Sequence, residues 1–391
     1  MQTRIASLDE LELLEAPEVT LYSTAGRVLS AREFARDHLG TLAAHERSLV
    51  ADHLDALPDP RPLPLVRPVV RTAALADGGE ELPARRSGAR SALMPERGLK
   101  LKGCRPEPAE FPEWVLDDDF RLQVRRIPFG VLTAEGVARE LLAHSFLVAH
   151  GLARATTPVA VLEYGEGGAR GFALVSELAS DERLESLLDC GGITLHRLLR
   201  LARAGDRLGL LGREVALSGI ELADYVARKA EMLVELNFHG GFRGLLNSNI
   251  GNDMVAGGEL VALCDFDDFF IRPRPQPGDE PNLRRFVLQA FLELLKSSLP
   301  IVDYLQLDGA SASDAHRALA ACYRARSSLY RAYRDRFLKR TGSLGWNPER
   351  VAGMIDEAFA LEVAFELLQE LVPNSLTLSG FTLKSAYVPH G

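Results

Sequence analysis

The stretch GELVALCDFDDFF, Gly258–Phe270, carries an apolar run into three acids within four positions, Asp265, Asp267 and Asp268. A run of this kind reads as a buried strand, and the neighbouring Phe266, Phe269 and Phe270 keep the acids beside an apolar core. Unpaired charge held there is costly. The chain must therefore fold so that something offsets the charge. A divalent cation does so: Mg²⁺ is held through one or two carboxylates plus substrate phosphates, which makes acids at a strand exit a metal-nucleotide signature. The competing reading is a turn with solvated aspartates.

The rest of the chain has the material for such a site. Its 391 residues are 47% hydrophobic and 25% charged, enough for a sizeable core and more than one domain or lobe. A net charge of -9 gives no basic footprint, so no nucleic-acid partner is expected. Cys104, Cys190, Cys264 and Cys322 show neither CxxC nor Cys/His spacing, which suggests reduced thiols rather than a zinc site or disulfide framework. The N-terminal MQTRIASLDELELLEAPEV has no apolar signal core and no run is long enough to span a bilayer, so the expectation is a cytoplasmic chain with no membrane partner.

Residues 32–57 have helical periodicity, and LPDPRPLPLVRPVV after them reads as an extended connector because its prolines forbid a helix. GLKLKG and FRLQVRR read as strands. Thr133–Gly151 reads as a helix with Thr133 as N-cap and Gly151 as C-cap, followed by a hairpin of Val159–Tyr164 and Gly171–Leu178. Helical spacing then dominates, through Leu222, Tyr225, Val226, Lys229, Met232, Leu233 and Leu236 and again near 283–299, 311–340 and 348–371. Strands come first and helices second, an α+β layout: a helical N-terminal extension with a Pro-rich connector (1–75), a β-rich small lobe (76–178) and a helical large lobe (179–391).

The order of these pieces resembles the protein-kinase-like fold: a strand lysine (Lys102), a glutamate on the next helix (Glu140), a strand pair ending in LVSEL, a long helix, an Asn-rich loop and the acidic strand end. The resemblance implies that Lys102 holds nucleotide phosphates and is oriented by Glu140, while a loop Asn and Asp265 hold Mg²⁺. Asn252 precedes Asp265 by thirteen positions, the family's spacing. Residues Glu177 to Ala179 would form the hinge that meets adenine. GLKLKGCRP followed by VARELLAHSFLVAHGLARATTPVAV is similar to the selenoprotein O family, whose kinase-like members transfer AMP from ATP onto protein hydroxyls. RSGARSAL echoes that family's phosphate segment and places Gly88 and Arg90 near phosphate.

The loop HGGFRGLLNSNIGND departs from both patterns. With Asn252 as the metal ligand, the base position falls on Asn247, and an amide cannot take a proton from a hydroxyl. Asn247 and Asn249 remain alternatives for the metal, and Asp253 and Asp267 stand in for the base. Each residue also has a structural reading: Lys102 as an ordinary strand lysine, Glu140 as a solvated helix acid, His239 as a turn histidine, Arg125 and Arg126 as a solvated strand end, and Cys104 as an apolar filler. The resemblance implies ATP and Mg²⁺ as cofactors and transfer of AMP or phosphate to a hydroxyl on a protein or small molecule. The alternative is a catalytically inactive pseudokinase that senses nucleotide or acts as a scaffold. DFDDF also resembles the Asp-Phe-Asp endings of aminoglycoside-type kinases, which keeps small-molecule phosphotransfer open.

Overall fold

The structure is a computed structural model that describes residues 18–23, 27–54, 57, 66–68, 81–86, 91–94, 98–103, 109–116, 122–129, 132–166, 169–180, 182–183, 188–189, 216–217, 222–244, 252–256, 259–302 and 328–358. Its backbone is α+β. An eight-stranded antiparallel sheet runs in the order β2-β9-β10-β6-β5-β4-β1-β3. Its strands are β1 (Glu18–Ser23), β2 (Arg27–Leu29), β3 (Val66–Pro68), β4 (Glu81–Arg86), β5 (Ser91–Met94), β6 (Leu99–Lys102), β9 (Thr156–Glu166) and β10 (Ala169–Leu178). A separate hairpin, β7 (Ala109–Leu116) with β8 (Leu122–Phe129), lies between β6 and the next helix in sequence.

Side chains alternate across a strand, and β6 uses both faces. Leu99 and Leu101 join Ala92, Met94, Val159, Ala160, Ala173 and Val175 in an apolar cluster. Lys100 and Lys102 therefore point to the opposite face, which also carries Phe172 and Leu174 of β10 into the main core. Gly103 follows immediately with φ +89, and a Cβ there would lie 2.6 Å from the Phe172 carbonyl oxygen. No other residue fits so close an approach without a shift.

Across that face lies α3 (Ala134–Ala149), capped by the Thr133 hydroxyl, which accepts from the Gly136 amide at 3.0 Å. It ends in a Schellman turn: Leu152 N–H donates to Leu147 C=O at 2.8 Å, Gly151 N–H donates to Val148 C=O at 3.1 Å, and Gly151 has φ +64. Burial extends around most of α3, from Val137 and Ala138 to Leu141, Leu142 and Phe146. On one side it packs against α1 (Ala31–His38) and α2 (Ala44–His53), and beyond it lie α4 (Leu222–Phe238), α5 (Glu280–Val302) and α6 (Ser328–Thr341). One continuous core holds Phe34, Phe146, Phe172, Phe238, Phe286, Phe291, Tyr333, Phe337 and Trp346.

The N-terminal region corrects the expectation. Residues 32–57 form two helices joined by a 3₁₀ turn, Leu39–Thr41, rather than one continuous run. The reading of 1–75 as helix plus connector missed three strands. β2 pairs with β9, β1 pairs with β4, and β3 pairs with β1 from within the proline-rich stretch. The strand in the connector, β3, is outermost in the sheet, the position in which a proline such as Pro68 is tolerated. The Thr133–Gly151 helix and the 159–178 hairpin form as the sequence suggests, the hairpin extending to 156–178. Of the stretches near 311–340 and 348–371, helix is described over 328–341 and 348–358, and the remainder lies outside the described residues. Among the described residues no helix is long and apolar enough to cross a membrane.

Candidate active site

The acidic strand is β16 (Glu259–Leu263), hairpin partner of β15 (Asp253–Ala256), which in turn pairs with β11 (Glu182–Arg183). A further short pair, β12 (Leu188–Asp189) with β13 (Ala216–Leu217), lies between β11 and α4 in sequence. Cys264 N–H donates to the Asn252 carbonyl at 2.8 Å, closing the hairpin so that Asn252 and Asp265 meet: Asn252 Nδ2 donates to Asp265 Oδ2 at 2.9 Å. Asp265 sits at φ +68, a left-handed conformation that Asp tolerates better than most residues. The conformation turns the chain out of the strand, and β17 (Phe270–Ile271) then pairs with β14 (Gly241–Phe242).

Lys102 reaches this corner from β6. Its Nζ donates to Glu140 Oε1 and to Asp265 Oδ1, and lies 3.2 Å from Asp267 Oδ1. Glu140 Oε1 also accepts from the Phe266 amide at 3.0 Å, so α3 grips both the lysine and the chain leaving the strand. Burial opposes ionisation of Glu140, but the Lys102 ammonium beside it, with Lys100 and the Phe266 amide, holds its carboxyl below the usual range. Both Lys102 and Glu140 are nearly buried, so neither is the solvated surface residue of the structural reading. Glu140, Asp265 and Asp267 bring carboxylate oxygens within 4.8 Å of one another. Three carboxylates gathered beside Lys102 form an all-oxygen donor set of the kind that suits a hard divalent cation such as Mg²⁺.

The other expected residues fall as follows. Glu177 pairs with Leu99 at the end of β10, and the amides of Leu178 and Ala179 donate to the carbonyls of Gly98 (3.3 Å) and Ala155 (2.9 Å). Those two donors are engaged within the protein, so the proposed hinge does not offer them to adenine in this conformation. Gly88, Arg90, Asn247, Asn249 and Cys104 lie outside the described residues. Arg125 and Arg126 lie on β8, in register with Glu113 and Pro112. His239 stacks on His150 with ring centroids 4.2 Å apart, and partial burial first, then nearby cations, lower its pKa despite Glu235. Its place is that of a structural turn histidine.

Asp253 is the clear departure. It opens β15 directly after Asn252, and its side chain is fully buried away from Asp265 against Lys229 and Tyr225. Its Oδ2 accepts from Lys229 Nζ and from the Tyr225 hydroxyl, each at 2.5 Å, and Arg243 Nη1 lies 3.8 Å from Oδ1. Such a residue cannot meet an acceptor hydroxyl; it anchors the hairpin that carries Asn252. Lys229, read only as one of the residues at helical spacing, is the anchor's cation. Burial lowers its pKa and Asp253 opposes that shift. Arg243 in turn donates to the Cys264 carbonyl at 3.3 Å, and the amides of Arg243 and Gly244 donate to Glu293 at 3.2 and 2.9 Å. No local pattern marks Arg243, Glu293, Arg139 or Glu46 as site-building residues, since each is a charged residue with a partner far along the chain.

His144, on the same helix as Glu140, is a second ionisable group held in the core. Burial pushes its pKa down to about 4, helped by Arg154 and His53 and opposed by a backbone hydrogen bond with Thr156. A histidine held neutral in the folded state adds stability above its ordinary pKa, and that stability is lost as pH falls from about 6.5 towards about 4. Denaturation of wild type and His144→Gln across this interval should show the wild type losing stability relative to the variant, by on the order of 3 kcal/mol at most. Parallel profiles would place His144 in a solvated setting.

No family model and no curated protein matches the chain. Among solved structures, one described as WaaP in complex with acyl carrier protein aligns over 86% of this chain and 99% of that one, at 16% identity and a TM-score of 0.28. A microcompartment-associated aminopropanol kinase aligns over 78% and 93%, at 12% identity and a TM-score of 0.24. A glucosamine kinase in complex with glucosamine, ADP and inorganic phosphate aligns over 88% and 96%, at 18% identity and a TM-score of 0.24. Superpositions this loose carry no weight for residue roles, which rest on the geometry above.

Proposed function

We propose that the chain is an ATP- and Mg²⁺-dependent transferase of kinase-like design that passes phosphate or AMP to a hydroxyl acceptor. The observation that carries the reading is the meeting of Lys102, Glu140, Asn252 and Asp265, drawn from four separate segments into one corner. Lys102 neutralises phosphate oxygens, and Glu140 holds it at the right height above the strand exit. Asp265 and Asn252 would hold Mg²⁺, which would supply charge neutralisation at the phosphate oxygens. Asp267, 3.2 Å from Lys102, is the acid assigned to the acceptor side now that Asp253 is committed to Lys229. Weak base chemistry is tolerable because group transfer of this type depends chiefly on positioning and charge neutralisation. The reading divides the chain near Leu178, with the nucleotide between the strands before it and the helices after it.

Parallel incubation with γ-labelled and α-labelled ATP tests the reading against hydroxyl acceptors on proteins and on amino alcohols or amino sugars. Transfer of γ label alone identifies a phosphotransferase, and transfer of α label identifies AMP transfer. Mg²⁺-dependent nucleotide binding without transfer of either label identifies the pseudokinase alternative. Loss of both binding and transfer would remove the nucleotide reading altogether.

A further inference from the structure

Glu46 is a buried acid outside the cluster just described, only 4% exposed. Carboxylates are seldom buried unless their oxygens are partnered. Here both are. Oε2 turns back to accept from the Ala43 amide at 3.0 Å, fixing the first turn of α2. Oε1 points out of α2 and accepts from the Ile271 amide at 3.1 Å, across 225 positions of sequence. It also lies 3.6 Å from Arg139 Nη1, and that same nitrogen donates to the Phe269 carbonyl at 3.0 Å. The ion pair thus grips Phe269–Ile271 at both ends, by its carbonyl and by its amide.

The location gives the grip a consequence. Phe269–Ile271 is the first length of chain after Asp265, Asp267 and Asp268, and Arg139 immediately precedes Glu140 on α3. On its other side the same length of chain pairs through Phe270 and Ile271 with β14. Arg139 is also held by Glu135 on its own helix, through Nε and Nη2 at 3.3 and 3.2 Å. A shift of α2 would take away the partner that links Arg139 and the Ile271 amide to the N-terminal helices, loosening the acidic segment that converges on Lys102.

We propose that Glu46 is a positioning residue: through Arg139 and the Ile271 amide, the N-terminal helical pair α1–α2 sets the geometry in which Glu140 and Asp265 meet Lys102. The inference rests on the transferase reading for its kinetic consequence, but not for its structural one. Charge and acceptor can be separated by substitution. Glu46→Ala removes both, whereas Glu46→Gln keeps an oxygen for Ile271 N–H and loses the pairing with Arg139.

The test uses the full chain and two readouts. Amide hydrogen exchange over 269–271 should accelerate about tenfold in Glu46→Ala, the change expected for one lost buried hydrogen bond, and less in Glu46→Gln. Turnover measured with labelled ATP should fall about 10- to 100-fold in Glu46→Ala at a nearly unchanged KM for ATP, since small misplacements of reacting groups cost rate more than binding. Glu46→Gln should restore part of it. Unchanged exchange in Glu46→Ala overturns the proposal whatever the kinetics show. Global unfolding of Glu46→Ala together with Glu46→Gln behaving as wild type in exchange and turnover also overturns it, because Glu46 would then be a structural cap only. Accelerated local exchange in a wild-type background that transfers no label and binds no nucleotide overturns the transferase reading and leaves the brace standing.

Discussion

Replacing Asp265 by Asn should abolish Mg²⁺-dependent nucleotide binding while leaving the fold in place. The two requirements on this residue are separable. Its backbone conformation, φ +68, is one that Asn adopts as readily as Asp, so the chain can still turn out of β16. The charge cannot be replaced. Asp265 is the acid that touches Lys102 and Asn252 together, and a neutral amide gives a divalent cation one weak ligand where it had an anionic one. Loss of a charge-stabilising group of this kind costs on the order of 10²–10³-fold in turnover. Calorimetric titration with Mg·ADP reads the binding directly, and the circular dichroism of the variant checks the fold. Equal affinity for wild type and Asp265→Asn would place the metal elsewhere.

The second large effect is expected at Lys229. Lys229→Met keeps the length and apolar stem of the side chain and removes the ammonium 2.5 Å from Asp253. Asp253 is then a fully buried carboxylate with its closest cation gone, and the loss of one member of such a pair costs about 3–5 kcal/mol. Because Asp253 begins the hairpin that presents Asn252, nucleotide binding should fall together with stability, unlike in Asp265→Asn. A compensating Asp253→Asn in the Lys229→Met background removes the stranded charge and should recover part of the loss, so that the two substitutions together cost less than the sum of each alone. Chemical denaturation of the four proteins measures the difference. Strict additivity would mean that the pair does not act as a unit.

These two residues also show what could be read before the structure. Asp265 stands out on its own as a strand-ending acid, whereas Lys102, Glu140 and Asn252 are picked out by the kinase-like order of elements and by the family's spacing of thirteen positions between Asn252 and Asp265. Their convergence was inferred by resemblance, since nothing local brings together residues 38 or 163 positions apart. Asp253 reads as a stand-in base only because it adjoins Asn252 in sequence; the buried Lys229 and Tyr225 that take it lie 24 and 28 positions away. Lys229 falls on the helical repeat read from the sequence and does face inward with Tyr225 and Leu233; sequence alone cannot supply the anion 24 positions away that makes its burial tolerable. Glu46 and Arg139 were unreadable for the same reason, as ordinary charged helix residues whose partners are main-chain groups more than a hundred positions on.

The strands contributed by the first 75 residues have a further consequence. Among the described residues β2 pairs with Val161–Glu163 of β9, and β1 with β3 flanks β4, so strands of the N-terminal segment are outermost at both margins of the eight-stranded sheet. A chain trimmed back to its expected small lobe would leave β9, eleven residues long and carrying Val159, Ala160, Val161 and Leu162, with an open row of amides and carbonyls. Long apolar margins of that kind recruit other chains. Without β2, the Val161–Glu163 stretch of β9 would be open to pairing with another strand.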